Sequence, residues 1–297
     1  MATIAEQLTS LANTKTAIKD AIVAKGVAVS DSDTFRSYAD KIGQIESGGG
    51  SASATKLGVS IDNMIGDVDA NGVLQSPSVP FEIKAVGVKV IGAYAMQYKF
   101  RGLSNATSAD FSSVETIETY GLYYAMPDSG VVSVDFSNLK VVNARGLYGA
   151  FSGSAVETAN FSNLETISGY GCYEIFRGTP LKTIDLHNLV SVSDSGLYNA
   201  FDASMLESID LSALTTLGSY AFRGAFSDTE IKSISFPALT SVQANSFGTS
   251  SSSTQAFRNC TELTEIHFRA DMQATIEACD GYANKFGATS SAIYFDL

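Results

Sequence analysis

Apolar and polar positions recur along this chain with a period of 25 residues: Phe111, Phe136, Phe161, Leu186, Leu211 and Phe236 form one apolar column. Three positions later run Val114, Leu139, Leu164, Leu189, Leu214 and Leu239, and six later Ile117, Val142, Ile167, Val192, Leu217 and Val242. Eleven positions after the first column stand Leu122, Leu147, Cys172, Leu197, Phe222 and Phe247. A fixed period of this size predicts a solenoid, in which each coil buries its apolar edge against its neighbours. Within a coil, Ile184 and Leu186 alternate with Thr183 and Asp185, which predicts a short strand with its polar side to solvent. The second half, Gly196 to Phe201, places apolar residues at i, i+3 and i+4, which predicts one or two turns of helix or 3₁₀ on the opposite wall. The last interval stretches to 32 residues through the Ser-rich Gly248–Thr254.

The stretch Leu181 to Leu189 follows the leucine-rich-repeat template, with its trailing Asn188 and Leu189. The segments FSNLETISGYGCYEIF, LSALTTLGSYAFRGAF and FPALTSVQANSF resemble the BspA-type leucine-rich repeat. The fold expected is therefore an α/β repeat: a leucine-rich-repeat solenoid of about seven 25-residue coils, preceded by a small helical module. The expected boundaries are 1–47 for that module, 48–53 for a Gly/Ser linker, 54–85 for the N-terminal cap, 86–268 for the repeats and 269–297 for the C-terminal cap. The cap sequence IEACDGYANKFGATSSAIYFDL resembles those that close such arrays on a strand.

The segment from Leu8 to Ile45 is similar to the N-terminal helical module of phage structural proteins, notably tail and head fibres. Ile4, Leu8, Leu11, Ile18 and Ile22 trace a short heptad seam if Lys15 serves as a polar seam position or extends its charge to the edge. Gly26 ends that helix, and Asp33 is placed to cap a second one carrying Phe35, Tyr38, Ala39 and Ile42. Two readings stay open: a helical hairpin packed on itself, or an oligomerising and docking module tethered by Gly48–Gly50. A homotrimer is what the fibre resemblance implies.

Net charge is -12 with 19 basic residues and no basic cluster, which argues against a nucleic-acid partner. No apolar run is long enough to span a bilayer, and Met1 to Lys25 lacks the apolar core of a secretory signal. The expectation is a protein made in a cytoplasm and carried outside on a virion, with the bacterial cell surface as the alternative. Asp67, Asp69, Asn71 and Gly72 open a calcium loop, yet its twelfth position is Ser78, and a tight Asn-Gly turn explains the same residues. Cys172 falls in a buried column; a Cys260–Cys279 disulfide is a minor alternative to free thiols. His187 and His267 lie near no nucleophile motif and no phosphate loop appears, so no enzyme and no cofactor are expected.

Two surface ladders are the candidate binding sites. Asp110, Asp135, Asn160, Asp185 and Asp210 share one strand position, beside the Ser133, Thr158, Thr183, Ser208 and Ser233 column. Tyr123, Tyr148, Tyr173 and Tyr198, interrupted at Arg223, follow the buried column by one residue and are expected to point outward. Each ladder has a plainer reading, as polar cover for a sheet or as packing between coils. The sequence-level conclusion is a non-enzymatic phage fibre or decoration protein that binds a host-surface glycan or protein. The alternatives are a BspA-like bacterial adhesin or an intracellular interaction scaffold.

Overall fold

The computed structural model describes residues 80–297 except Val86, Thr289 and Ser290, together with scattered positions between Ala12 and Tyr38. The chain divides into two compact units, Met1–Ala52 and Ser53–Leu297. In the first unit the described residues from Ala12 to Val23 are helical, as is Tyr38. Ile22 and Tyr38 are buried, Ile18 is half-buried, and the Lys15 ammonium lies 5.9 Å from the centre of the Tyr38 ring. Ile4, Leu8 and Leu11, the Gly48–Gly50 linker and the half-loop at Asp67, Asp69 and Asn71 lie outside the described residues.

The described residues of the second unit form a parallel β-solenoid. Each coil contributes a strand to a first wall: β1 (Phe81–Lys84), β3 (Ala106–Asp110), β5 (Ser133–Asp135), β7 (Thr158–Asn160), β9 (Thr183–Asp185) and β11 (Ser208–Asp210). A shorter strand follows on a second wall: β2 (Val90–Ile91), β4 (Thr116–Ile117), β6 (Val141–Val142), β8 (Thr166–Ile167), β10 (Ser191–Val192), β12 (Thr216–Leu217) and β14 (Ser241–Val242). Both walls are parallel sheets that keep the repeat in register, with Ser133 against Thr158 and Val142 against Ile167. The ladder already includes Phe81–Lys84, ahead of the 86 boundary that the repeat suggests. Beyond β11 the first wall restarts as a separate sheet, β13 (Ser233–Phe236), β15 (Glu265–Phe268) and β16 (Ala292–Phe295). The C-terminal cap thus adds a strand of its own, after a short helix at Gln273–Glu277.

The third wall departs from the sequence expectation. It is neither helix nor 3₁₀ but a series of turns in which alternate N–H groups bond in different directions. Gly121 N–H donates to Glu118 O at 2.8 Å and Ala125 N–H to Leu122 O at 3.1 Å, within the coil. Leu122 N–H donates to Gly146 O and Tyr124 N–H to Tyr148 O, each at 2.7 Å, across to the next coil. Every fourth residue takes a left-handed φ, as at Tyr120 (60°), Tyr124 (43°) and Asp128 (54°). The reason is spacing. Strands stack about 4.8 Å apart, whereas packed helices need roughly 8–10 Å between axes. Coils paired in register on two walls leave no room for a helix on the third.

The columns read from the sequence are the core. All of the first column, with its neighbours three, six and eleven positions on, is buried except Val242, which is half-buried. Phe111 stacks on Phe136 at 4.8 Å and Phe236 on Phe268 at 5.2 Å. A second ladder, Phe151, Phe176, Phe201, Phe226 and Phe257, continues through the lengthened last coil with centroid separations of 5.7, 6.2, 5.8 and 5.4 Å. Cys172, Cys260 and Cys279 are all free and buried, so the Cys260–Cys279 disulfide is not formed; burial raises the Cys172 thiol far above its usual range.

Candidate recognition surface

The acidic ladder lines the solvent side of the first wall and ends each strand with a local turn. Asp110, Asp135, Asp185 and Asp210 each accept the N–H of the residue two positions on, at 2.9, 2.8, 3.0 and 2.9 Å, and Asn160 does so at 3.2 Å. This is the Asx turn, for which Asp and Asn are suited by their short side chains. A hydrogen bond from Ser112, aided by Lys84, holds Asp110 below the usual carboxylate range. At Asp185 partial burial works against ionisation, but the His187 N–H and ring outweigh it and hold its pKa down. The spacing of Asp135 and Asp210 from their serines follows the same rule, so the column has a structural cause independent of any ligand. Two open grooves of about 570 and 450 Å³ run along this wall, lined by Asp185, Asp210 and Ser235 in one and by Asp110, Asp135 and Asn160 in the other. No metal-ligating cluster occurs among the described residues.

Two further polar ladders escaped the sequence reading. Asn138, Asn163 and Asn188 donate their amides to the carbonyls of Ser112, Ser137 and Ser162 on the preceding coil, at 2.7, 2.6 and 2.8 Å. Ser154, Thr179, Ser204 and Thr229 are buried, and their hydroxyls close onto the phenylalanine carbonyl three residues back at 2.6 to 2.8 Å. The 25-residue recurrence of Asn and of Ser/Thr was visible, but it marks satisfied backbone rather than a site.

The tyrosines lie on the turn wall. Tyr123, Tyr148, Tyr173 and Tyr198 are half-buried, because the coil rise brings each ring onto the next. Successive centroids are 4.9, 4.2 and 4.7 Å apart, and the Arg223 guanidinium continues the stack 4.8 Å from Tyr198. Desolvation, helped by Tyr98, pushes the Tyr123 hydroxyl up to about 12, and burial raises Tyr148 and Tyr173 in the same direction. A neighbouring column, missed in the sequence, runs beside it: Tyr94 stacks on Tyr120 at 5.0 Å, and Arg145 lies between Tyr120 and Tyr170. Tyr94 and Tyr170 are its exposed members. The wall therefore combines aromatic area, hydroxyl edges and two guanidinium groups that form no ion pair among the described residues.

Residues 147–254 and 223–279 match the model of the BspA type leucine rich repeat region, in six copies. In that stretch the chain is similar to BspA-type leucine-rich repeats. A crystal structure of a leucine-rich repeat protein from Bacteroides ovatus is similar at 20% identity with a TM-score of 0.33, over 73% of this chain and 60% of that one. The chain thus spans 60% of that protein's length. No curated protein matches the chain significantly. The BspA-type stretch contains Tyr148, Tyr173, Tyr198 and Arg223, while Tyr94, Tyr98, Tyr120 and Tyr123 lie in coils ahead of it.

Proposed function

We propose that this is a non-enzymatic recognition protein whose BspA-type solenoid presents the tyrosine and arginine turn wall to a partner on a host-cell surface. The observation that carries this reading is the wall itself. Ring stacks rigidify it across successive coils, so binding costs little side-chain entropy, and its guanidinium groups form no ion pair among the described residues. Residues 1–47 act as the anchor, with Ile4, Leu8, Leu11, Ile18 and Ile22 as the oligomerising seam of a homotrimer. The finer assignment, a phage fibre or decoration protein, rests on the resemblance of that module to phage fibres. The BspA-type repeats favour a bacterial surface adhesin as the second reading. Immunogold labelling with antibody to the full chain separates them. Label on purified virions supports the phage assignment, label on intact uninfected cells supports the adhesin, and label on neither overturns surface display.

A further inference from the structure

One column of the turn wall carries Tyr120, Arg145, Tyr170, Ser195 and Tyr220 on successive coils. All five take a left-handed φ, between 55° and 60°, so their side chains leave the backbone in the same direction. The Arg145 guanidinium lies 5.5 Å from the Tyr120 ring centre and 5.0 Å from that of Tyr170. Two rings two coils apart, roughly 9–10 Å at the strand spacing, thus hold one planar cation between them. Tyr170 and Tyr220 are also two coils apart, but the residue between them is Ser195, a small side chain buried at the floor of the wall. No side chain as long as that of Arg145 stands at that position.

The surroundings of that position differ from those of Arg145 in charge. Asp194 is exposed beside it, with Oδ1 accepting the Ser219 N–H at 2.8 Å. Ala144 holds the corresponding place beside Arg145. Arg223 borders the position from the next coil, 4.8 Å from Tyr198 and 5.7 Å from Tyr220.

We propose that Tyr170, Ser195 and Tyr220 form a slot for a guanidinium group, the side chain of an arginine on a partner protein. The array demonstrates the fit two coils earlier by inserting Arg145 between Tyr120 and Tyr170. A guanidinium is flat and weakly hydrated, so it enters between rings at lower cost than an ammonium. Asp194 supplies the counter-charge that the Arg145 position lacks, and Arg223 limits the slot to one cation. A chain of net charge -12 attracts a basic partner over longer range. The proposal rests on the recognition reading only for the existence of a protein partner.

The test uses the full-length chain and the peptide acetyl-Gly-Gly-Arg-Gly-Gly-amide, followed by tyrosine fluorescence, since the protein has no tryptophan. Saturable binding is expected, weakened about tenfold when citrulline replaces the arginine, in keeping with a cation–π and ion-pair contribution. Ser195→Arg fills the slot in cis: it should raise Tm, because Arg145 already adopts that backbone and stack, and abolish peptide binding. Equal binding of the arginine and citrulline peptides overturns the proposal, as does a lowered Tm or retained peptide binding in Ser195→Arg. Binding of a neutral oligosaccharide that Ser195→Arg blocks assigns the slot to a glycan instead and overturns it too. Loss of the slot with surface labelling intact leaves the recognition reading standing.

Discussion

The rings of Tyr148 and Tyr173 lie 4.2 Å apart, centroid to centroid, with planes 17° from parallel. That single relationship turns the tyrosine ladder from a row of free contact residues into part of the solenoid's cohesion. Aromatic pairs contribute about 0.5–1.5 kcal/mol beyond their buried area. Changing Tyr148 and Tyr173 together to Ala also breaks the stacks to Tyr123 and Tyr198. A loss of roughly 2–4 kcal/mol is expected on these grounds, read by urea denaturation with an unchanged m-value. A loss below about 0.5 kcal/mol, the usual cost of an exposed substitution, would show the rings to be independent of one another.

The repeat made the core legible because burial acts on one residue type per position. Phe111 and Phe136 announce themselves 25 residues apart, and the structure stacks them. The third wall was misread because Leu197, Ala200 and Phe201 have helical spacing, and a turn that returns every fourth residue gives almost the same apolar pattern. Only the backbone pairing between coils distinguishes the two. The Tyr120, Arg145, Tyr170 column went unnoticed for a related reason. Its members differ in chemistry and share a left-handed φ that no sequence pattern displays.

The Asx turns make the acidic ladder testable as structure. Asp135 Oδ1 accepts the Ser137 N–H at 2.8 Å, a role that Asn160 performs one coil later. Asp135→Asn should therefore change stability by less than about 0.5 kcal/mol, whereas Asp135→Ala should cost on the order of 1 kcal/mol, the worth of one hydrogen bond. Thermal unfolding of the two variants decides it. Equal losses in both would mean that the charge, rather than the turn, is what the position requires.

Two glycines on the turn wall separate backbone strain from contact. Gly149 has φ of 58°, and a Cβ built there would come within 2.4 Å of the Tyr124 ring. Gly178 has φ of 67° with nothing within 4 Å, and Ala203 holds the same repeat position at φ 57°. Gly178→Ala should cost no more than about 1–2 kcal/mol, the left-handed penalty for an L-residue. Gly149→Ala must also displace Tyr124 from the stack and should lower Tm further than Gly178→Ala. The reverse order would show that Tyr124 does not rest over Gly149.

The C-terminal strand carries a pH dependence whose sign follows from His267. Its Nδ1 lies 2.9 Å from Asp296 Oδ1 and its Nε2 3.5 Å from Glu265 Oε2, while its ring stacks on Tyr294 at 4.8 Å. The hydrogen bond to Asp296 raises the His267 pKa above 6.5; partial burial opposes the shift and Glu265 adds to it. A group with a raised folded pKa contributes stability that is fully present below its unfolded value and is lost as pH rises through the folded one. Protonated His267 therefore ties β16 to β15 below about pH 6.5, as long as the carboxylates stay ionised. Amide hydrogen exchange in Ala292–Phe295, corrected for intrinsic rates, should show greater protection at pH 5.5 than at pH 8.5. In His267→Gln that difference should vanish while the protection of β5 and β7 stays as it was. A pH-independent β16 in the unmodified chain would mean that strand pairing and the Tyr294 stack hold the end of the solenoid without the charge.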